Sequence, residues 1–399
     1  MKTLLKSILA AGMALSVLSA SAVAAGAATG YNTNDGSDPA NPLSDTTSFT
    51  FTKHYDLEGD TTDGKSPAED FTVTFTPKSF FNVPASANMT VAGMPSIANA
   101  VLSATKGAAD TSAATNVTAD TSAATNVTAE VTLPAYAYVG DYWYEVRETA
   151  GDTAGVTYDN AVYYLHVQVV HESDSSNNLL RLVTLHSAEP QADGTPAASG
   201  DTKNDGITNT YRNGSLSVKK TVTGNMGDLT KEYTATVTFS YTSDAAACPV
   251  RSDVTYTDGT EKTIAASNWT KADGKWTASA TLTLSHDETV TFENLPYGVS
   301  YEVVETDYSG EGYTHSFAFE NADSGDAVTA EGGSWANAKA TGTITDAEDK
   351  LTITNNKESE IDVGVLLENA PFIALIVFVL AAAVILIVFA VKRNKHDMT

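Results

Sequence analysis

The chain has 399 residues, with 23 Lys and Arg against 49 Asp and Glu and a net charge of −26. That length provides for two or three domains with sizeable cores, and so large an acid excess repels phosphate, which excludes nucleic acid as a partner. A hydrophobic content of 42% with 17 Tyr excludes an acidic disordered tail, while the single cysteine, Cys248, cannot form an internal disulfide.

Residues 1–28 have the pattern of a secretory signal peptide. Lys2 and Lys6 precede an apolar run from Ile8 to Leu18, and Ala22-Val23-Ala24 offers a cleavage site. The alternative, a membrane-retained helix, is disfavoured by the shortness of the run. Residues 29–45, rich in Gly, Asn, Asp, Ser and Pro, form a flexible leader. An exported chain without disulfides needs some other staple.

From residue 46 onward, apolar and polar residues alternate in short runs. Examples are Phe71-Thr-Val73-Thr-Phe75, Tyr163-Tyr-Leu165-His-Val167-Gln-Val169 and Thr236-Val-Thr-Phe239. Period two with β-branched and aromatic enrichment predicts half-buried antiparallel strands, and regular strands with turns between them predict β-sandwiches. The expected fold is all-β, with two tandem Ig-like sandwiches over 46–213 and 214–356. The boundary is set near Tyr211–Gly214, where one strand is expected to end and another to begin. Residues 111–119 and 121–129 are identical (TSAATNVTA) and are expected to form an enlarged surface hairpin or loop. Asp56, Glu58, Asp60 and Asp63 lack the register of a calcium-binding loop and are taken as solvated, so no metal is expected. The seven His have no metal-ligand spacing, and His166 and His171 are expected at a satisfied surface. No nucleophile elbow, phosphate loop or Cys–His pairing is visible, so no cofactor and no enzymatic activity are expected.

Residues 357–371 form a spacer. Phe372–Val391 is an uninterrupted run of 20 apolar residues, long enough to span a bilayer. The basic tail, 392–399, carries Lys392, Arg393 and Lys395, which places it in the cytoplasm and the bulk of the chain outside.

Placed side by side, the two expected sandwiches share three motifs in the same order. Phe49-Thr-Phe51-Thr-Lys53 matches Leu216-Ser-Val218-Lys-Lys220, Tyr144-Glu-Val146-Arg-Glu148 matches Tyr301-Glu-Val303-Val-Glu305, and Ile207-Thr-Asn209 matches Ile353-Thr-Asn355. Period two puts each Lys and each Glu on an apolar face, where burial neutralises them. A neutral amine is a nucleophile and a neutral carboxyl is a hydrogen-bond donor. Beside an Asn carboxamide, the acid polarises the carbonyl and the amine attacks, and loss of ammonia leaves a Lys–Asn isopeptide bond with Glu as proton shuttle. A plain buried Lys–Glu salt bridge is the alternative for either domain alone. Parity with Leu216 and Val218 selects Lys220 over Lys219.

With Gly140–Glu148, Gly155-Val-Thr-Tyr-Asp-Asn160 and Gly214–Gly224, these motifs make the chain resemble a Gram-positive backbone pilin. Its domains are similar to the streptococcal-type isopeptide-linkage domains, which are related to collagen-adhesin B-type sandwiches. The resemblance covers roughly residues 45–365 and implies spontaneous crosslinks Lys53–Asn209, promoted by Glu148, and Lys220–Asn355, promoted by Glu305. It also implies polymerisation by a sortase, with neighbouring pilin subunits and cell wall peptidoglycan as partners, and it allows a host-surface ligand. Lys203 occupies the place of the acceptor lysine. The window Ile361-Asp362-Val363-Gly364 resembles a Val-Pro-Thr-Gly sorting signal with two positions changed, so wall attachment and retention by the helix both stay open. A monomeric adhesin or stalk protein anchored to wall or membrane is the alternative function.

Overall fold

The computed structural model describes residues 43–59, 66–104, 123–172, 176–204, 206–320, 325–329, 335, 337–359 and 364–396, the side chains of 123–126, 364–371 and 389–396 excepted. The expected signal peptide, nearly all of the leader, Asp60, Asp63, the first copy of the repeat, and Ile361, Asp362 and Val363 lie outside the described residues.

The first half contains β1 (Ser48–Gly59), β2 (Glu69–Phe81), β3 (Ala100–Ala104), β4 (Ala123–Thr132), β5 (Gly140–Thr149), β6 (Val156–Thr157), β7 (Tyr163–His171), β8 (Leu179–His186) and β9 (Lys203–Asn204). The long β10 (Gly206–Thr223) follows. The second half contains β11 (Tyr233–Thr242), β12 (Val254–Asp258), β13 (Thr260–Ile264), β14 (Thr270–Ala272), β15 (Lys275–Leu284), β16 (Thr289–Pro296), β17 (Ser300–Glu305), β18 (Thr314–Phe319), β19 (Ala327–Thr329), β20 (Lys339–Thr343) and β21 (Glu348–Asn356). A helix, α1 (Gly364–His396), ends the described chain.

The alternation read from the sequence becomes the inside and outside of the sheets. Along β15, Ala278, Ala280, Leu282 and Leu284 are buried between exposed neighbours, and Phe71, Val73 and Phe75 do the same on β2. One core gathers Phe49, Phe51, Tyr144, Val146 and Ile207 with their neighbours. A second gathers Leu216, Val218, Tyr301, Val303 and Ile353, and it takes in Ala154 from the first half.

The sheet topology corrects the strand break expected near Tyr211–Gly214. Among the described residues, one sheet runs β13-β12-β16-β10-β1-β4, with β21 and β6 also paired to β10 and β18 to β21. Two further sheets, β3-β2-β5-β7-β8-β9 and β14-β15-β11-β17-β20-β19, cover the two cores separately. No strand ends at 211–214, because β10 is 18 residues long and serves both halves. The residues expected to break the chain there keep extended geometry because each is held from the side. Arg212 N–H donates to Gly155 O at 2.8 Å, and Tyr297 N–H donates to Arg212 O at 3.0 Å. The buried Asn213 donates to Asn294 at 2.6 Å, and Tyr211 Oη donates to Ser252 at 3.1 Å. Gly155, at φ +78°, is required there, since a Cβ would lie 2.5 Å from Arg212 O.

Of the hairpin or loop expected for the repeat, the described residues 123–129 of the second copy belong to a strand, β4, paired antiparallel to β1 with Val127 opposite Lys53. Thr125, Val127, Thr128, Val131 and Thr132 give β4 the β-branched content that an edge strand needs. His166 departs from the surface expectation as well. Its ring stacks on Trp143 at 4.1 Å, and its Nε2 lies 2.9 Å from Asp141.

In α1, side chains from Phe372 to Val388 are apolar and largely exposed. Among the described residues no helix is long and apolar enough to cross a membrane. The apolar run of the sequence continues to Val391, past the last described side chain.

Candidate functional site

Both predicted triads assemble. In the first half, β1 and β10 run parallel with Lys53 opposite Ile207 and Tyr55 opposite Asn209. In the second half, β10 and β21 run parallel with Lys220 opposite Ile353 and Val222 opposite Asn355. The register is therefore the same in both: each Lys stands two positions before its Asn, on the same face. Glu148 on β5 and Glu305 on β17 come from the opposing sheet of each sandwich. Gly206 permits the first pairing, since a Cβ there would lie 1.5 Å from Thr52 O.

In the first site, Lys53 Nζ donates to Glu148 Oε2 at 2.9 Å, with both side chains at 0% exposure. Asn209 Nδ2 donates to Glu148 Oε1 at 2.8 Å. One carboxyl thus bridges amine and amide through its two oxygens. The acid is expected from the sequence to polarise the Asn carbonyl. Instead, Asn209 Oδ1 accepts the main-chain N–H of Asp159 at 2.7 Å.

In the second site, Lys220 Nζ and Asn355 Nδ2 both donate to Glu305 Oε1, at 2.5 and 3.0 Å. Glu305 Oε2 and Asn355 Oδ1 are buried without a hydrogen-bond partner among the described residues. Lys219, as parity requires, points outward to Asp287 at 3.3 Å.

The electrostatics follow from burial. Removal from water pushes Lys53 below the ordinary lysine range, against the pull of Glu148, and pushes Lys220 down to about 8, against Glu305. Burial likewise raises Glu148 and Glu305, with their lysines opposing. Aromatic walls complete both sites: Lys53 Nζ lies 5.2 Å from the Phe71 ring, and Lys220 Nζ lies 4.5 Å from that of Tyr233. Each Lys–Glu pair holds one transferable proton. With the proton on nitrogen it is a salt bridge, and with the proton on oxygen it is a nucleophile beside an acid.

Lys203 sits apart from both triads, exposed on β9 and opposite His186 of β8. Its strand is pinned by Asp201, which lies 2.6 Å from buried His186 Nδ1 and accepts the N–H groups of Ser187 and Ala188. Sequence reasoning misses both this pair and Asp159. Neither shows in spacing, because each contact joins a loop to a distant strand. Of the predicted sorting window, only Gly364 is described, as the first residue of α1.

Two sandwiches, each with one parallel strand pair and a Lys–Glu–Asn triad sealed in its core, have the arrangement expected of isopeptide-linkage domains. Residues 98–212 match the Spy0128-like isopeptide containing domain, and residues 214–357 match a domain of unknown function (DUF7601). The chain is 28% identical over 256 residues to a pilin of Streptococcus pyogenes serotype M1, covering 64% of this chain and 68% of that protein. Among solved structures, the major pilin from Streptococcus pyogenes matches with 20% identity and a TM-score of 0.44, over 79% of this chain and 100% of that one. A major pilin (T3.2) of the same species matches with 17% identity and a TM-score of 0.44, over 77% and 98%. Over these stretches the chain is similar to an isopeptide-containing domain and to a streptococcal pilin.

Proposed function

We propose that the subunit is stapled by two autocatalytic isopeptide bonds, Lys53–Asn209 and Lys220–Asn355, one in each of two sandwiches divided at 213/214. The observation that carries this reading is the duplicated geometry, in which a sealed Glu touches both the amine and the amide. In each site the neutral amine attacks Cγ of Asn and a Nζ–Cγ bond forms. The Nζ proton passes to Glu, Glu returns a proton to Nδ2, the Cγ–Nδ2 bond breaks and ammonia leaves. Glu is unchanged, so the process is a single self-modification and the subunit itself has a structural, non-enzymatic role. Intact mass of the purified chain tests it: two bonds lower the mass by about 34 Da, one ammonia each, whereas an unaltered mass rejects the crosslinks.

A sortase joins subunits through Lys203 in this reading. Support comes from position: β10 begins just after Lys203 and ends where Lys357 N–H donates to Thr223 O at 3.1 Å. Acceptor lysine and C-terminal spacer therefore lie at opposite ends of one strand, about 60 Å apart at ~3.3 Å per residue, as head-to-tail growth requires. Peptidoglycan attachment through the 361–364 window, or retention by the apolar run at 372–391, then holds the pilus at the cell surface. A monomeric adhesin or stalk would use the same staples, and wall extracts separate the two, since a pilin forms a high-molecular-weight ladder.

A further inference from the structure

The two triads differ in one respect. In the first, the Asn carbonyl meets a main-chain donor, Asp159 N–H at 2.7 Å. In the second, Asn355 Oδ1 has no donor among the described residues. The difference has a structural origin. Gly155-Val-Thr-Tyr-Asp159 and Gly312-Tyr-Thr-His-Ser316 occupy corresponding places, each opened by a glycine in the left-handed region (φ +78° and +85°). In the first half the strand that follows, β6, is only two residues long and pairs with Thr210 and Tyr211. The chain leaves the ladder before reaching Asn209, and the N–H of Asp159 is left to meet the side-chain oxygen. In the second half, β18 continues along β21, with His315 opposite Asn355 and Ser316 opposite Thr354. Ser316, the counterpart of Asp159, is therefore a ladder residue.

Asp159 is built to hold this position. Its Oδ1 accepts Ala161 N–H at 2.8 Å and its Oδ2 accepts Tyr163 Oη–H at 2.7 Å, so the side chain fixes the turn from which the N–H points. The contact also sets the sense of the Asn209 amide. An N–H donor requires oxygen opposite it, which leaves Nδ2, the departing nitrogen, facing Glu148 Oε1.

Resting on the crosslinking reading above, we propose that Asp159 N–H is the oxyanion donor of the first-domain reaction. Charge develops on Asn209 Oδ1 when Lys53 adds to Cγ, and a fixed dipole at 2.7 Å stabilises it without reorganisation. The second domain has no such main-chain donor among the described residues and relies on Glu305 alone. The same hydrogen bond persists in the product, now from Asp159 N–H to the isopeptide carbonyl.

The test is cell-free synthesis of the full chain with the α-hydroxy analogue of aspartate at position 159, which replaces the N–H by an ester oxygen and keeps the side chain. Asp159→Asn, which keeps the N–H, is the control. Proteolytic mapping by mass spectrometry follows the Lys53–Asn209 and Lys220–Asn355 peptides in time, the second serving as an internal clock. The ester is expected to slow the first crosslink about 10²-fold and leave the second unchanged. An unchanged first crosslink overturns the proposal. If the ester variant loses both crosslinks through misfolding, amide hydrogen exchange of the unmodified, crosslinked chain decides: a protected Asp159 N–H supports the proposal and a freely exchanging one overturns it. Absence of both crosslinked peptides from the unmodified chain identifies failure of the crosslinking reading itself.

Discussion

Asn209 and Lys220 stand on the same unbroken strand, one facing each core. Asn209 belongs to the first triad and Lys220 to the second, and β10 carries both across the boundary between the sandwiches. Crosslinked at these two points, β10 is tied to β1 on one side of the boundary and to β21 on the other. About 36 Å of extended backbone separates the ties, and the buried Tyr211 and Asn213 lie along it.

Each glutamate is expected to act on its own domain. Glu148→Ala is expected to leave a single mass deficit of about 17 Da, as is Glu305→Ala, and the double variant none. Each crosslink closes a loop of roughly 140–160 residues, worth about 5 kcal/mol in the chain-entropy treatment, so each single variant should also unfold at a clearly lower temperature. Mass spectrometry and calorimetry on the same samples check both. Retention of two deficits in Glu148→Ala would remove that residue from the chemistry.

Glu305→Gln leaves Lys220 unreacted and buried. Its amine, already held down to about 8 by burial beside Glu305, loses the carboxylate that raised it and falls further. Its folded value then lies well below its unfolded value, so the unfolded chain binds more protons between the two and stability rises with pH across that window. The variant should gain on the order of 3 kcal/mol between about pH 7 and pH 10. The crosslinked parent, with no amine to titrate there, should lack this component. Denaturant unfolding at a series of pH values reads the difference.

Gly206→Ala puts a methyl group where Thr52 O already lies, 1.5 Å from the ideal Cβ. Either β1 or β10 must move, at a cost of about 3 kcal/mol, since the obstruction is backbone and cannot rotate away. The Lys53–Asn209 crosslink should form more slowly while Lys220–Asn355 forms normally, which peptide mapping resolves.

Lys203→Arg keeps the charge and the exposed position on β9 but removes the primary amine. It should abolish the ladder in wall extracts while both internal crosslinks remain, as shown by intact mass. A surviving ladder would move the acceptor to another lysine.

Much of this was legible in order along the chain. Lys53, Glu148 and Asn209 are far apart in sequence, yet strand parity alone puts each on an apolar face, and the repetition of Lys, Glu and Asn motifs pairs them. The same parity separates Lys220 from Lys219. Period-two patterning reports which way a side chain points, which is a local property of the pleated backbone. It does not report where a strand stops when neighbours hold it on both sides. β10 therefore runs through a boundary that a run of turn-like residues, Arg212-Asn-Gly214, had suggested. Nor does it identify a repeat as a strand, which residues 123–129 become because β1 offers them an edge to pair with.

By itself, then, the sequence determined the sandwich class, the six triad residues and the absence of a disulfide, because these rest on periodicity and composition. Only the tertiary structure decided the shared strand, the seat of Lys203 and the unequal treatment of the two Asn carbonyls. Each of those depends on which main-chain donors are left over after the sheets have paired. That remainder is fixed by strand lengths and register across the whole fold, as the short β6 and the longer β18 demonstrate.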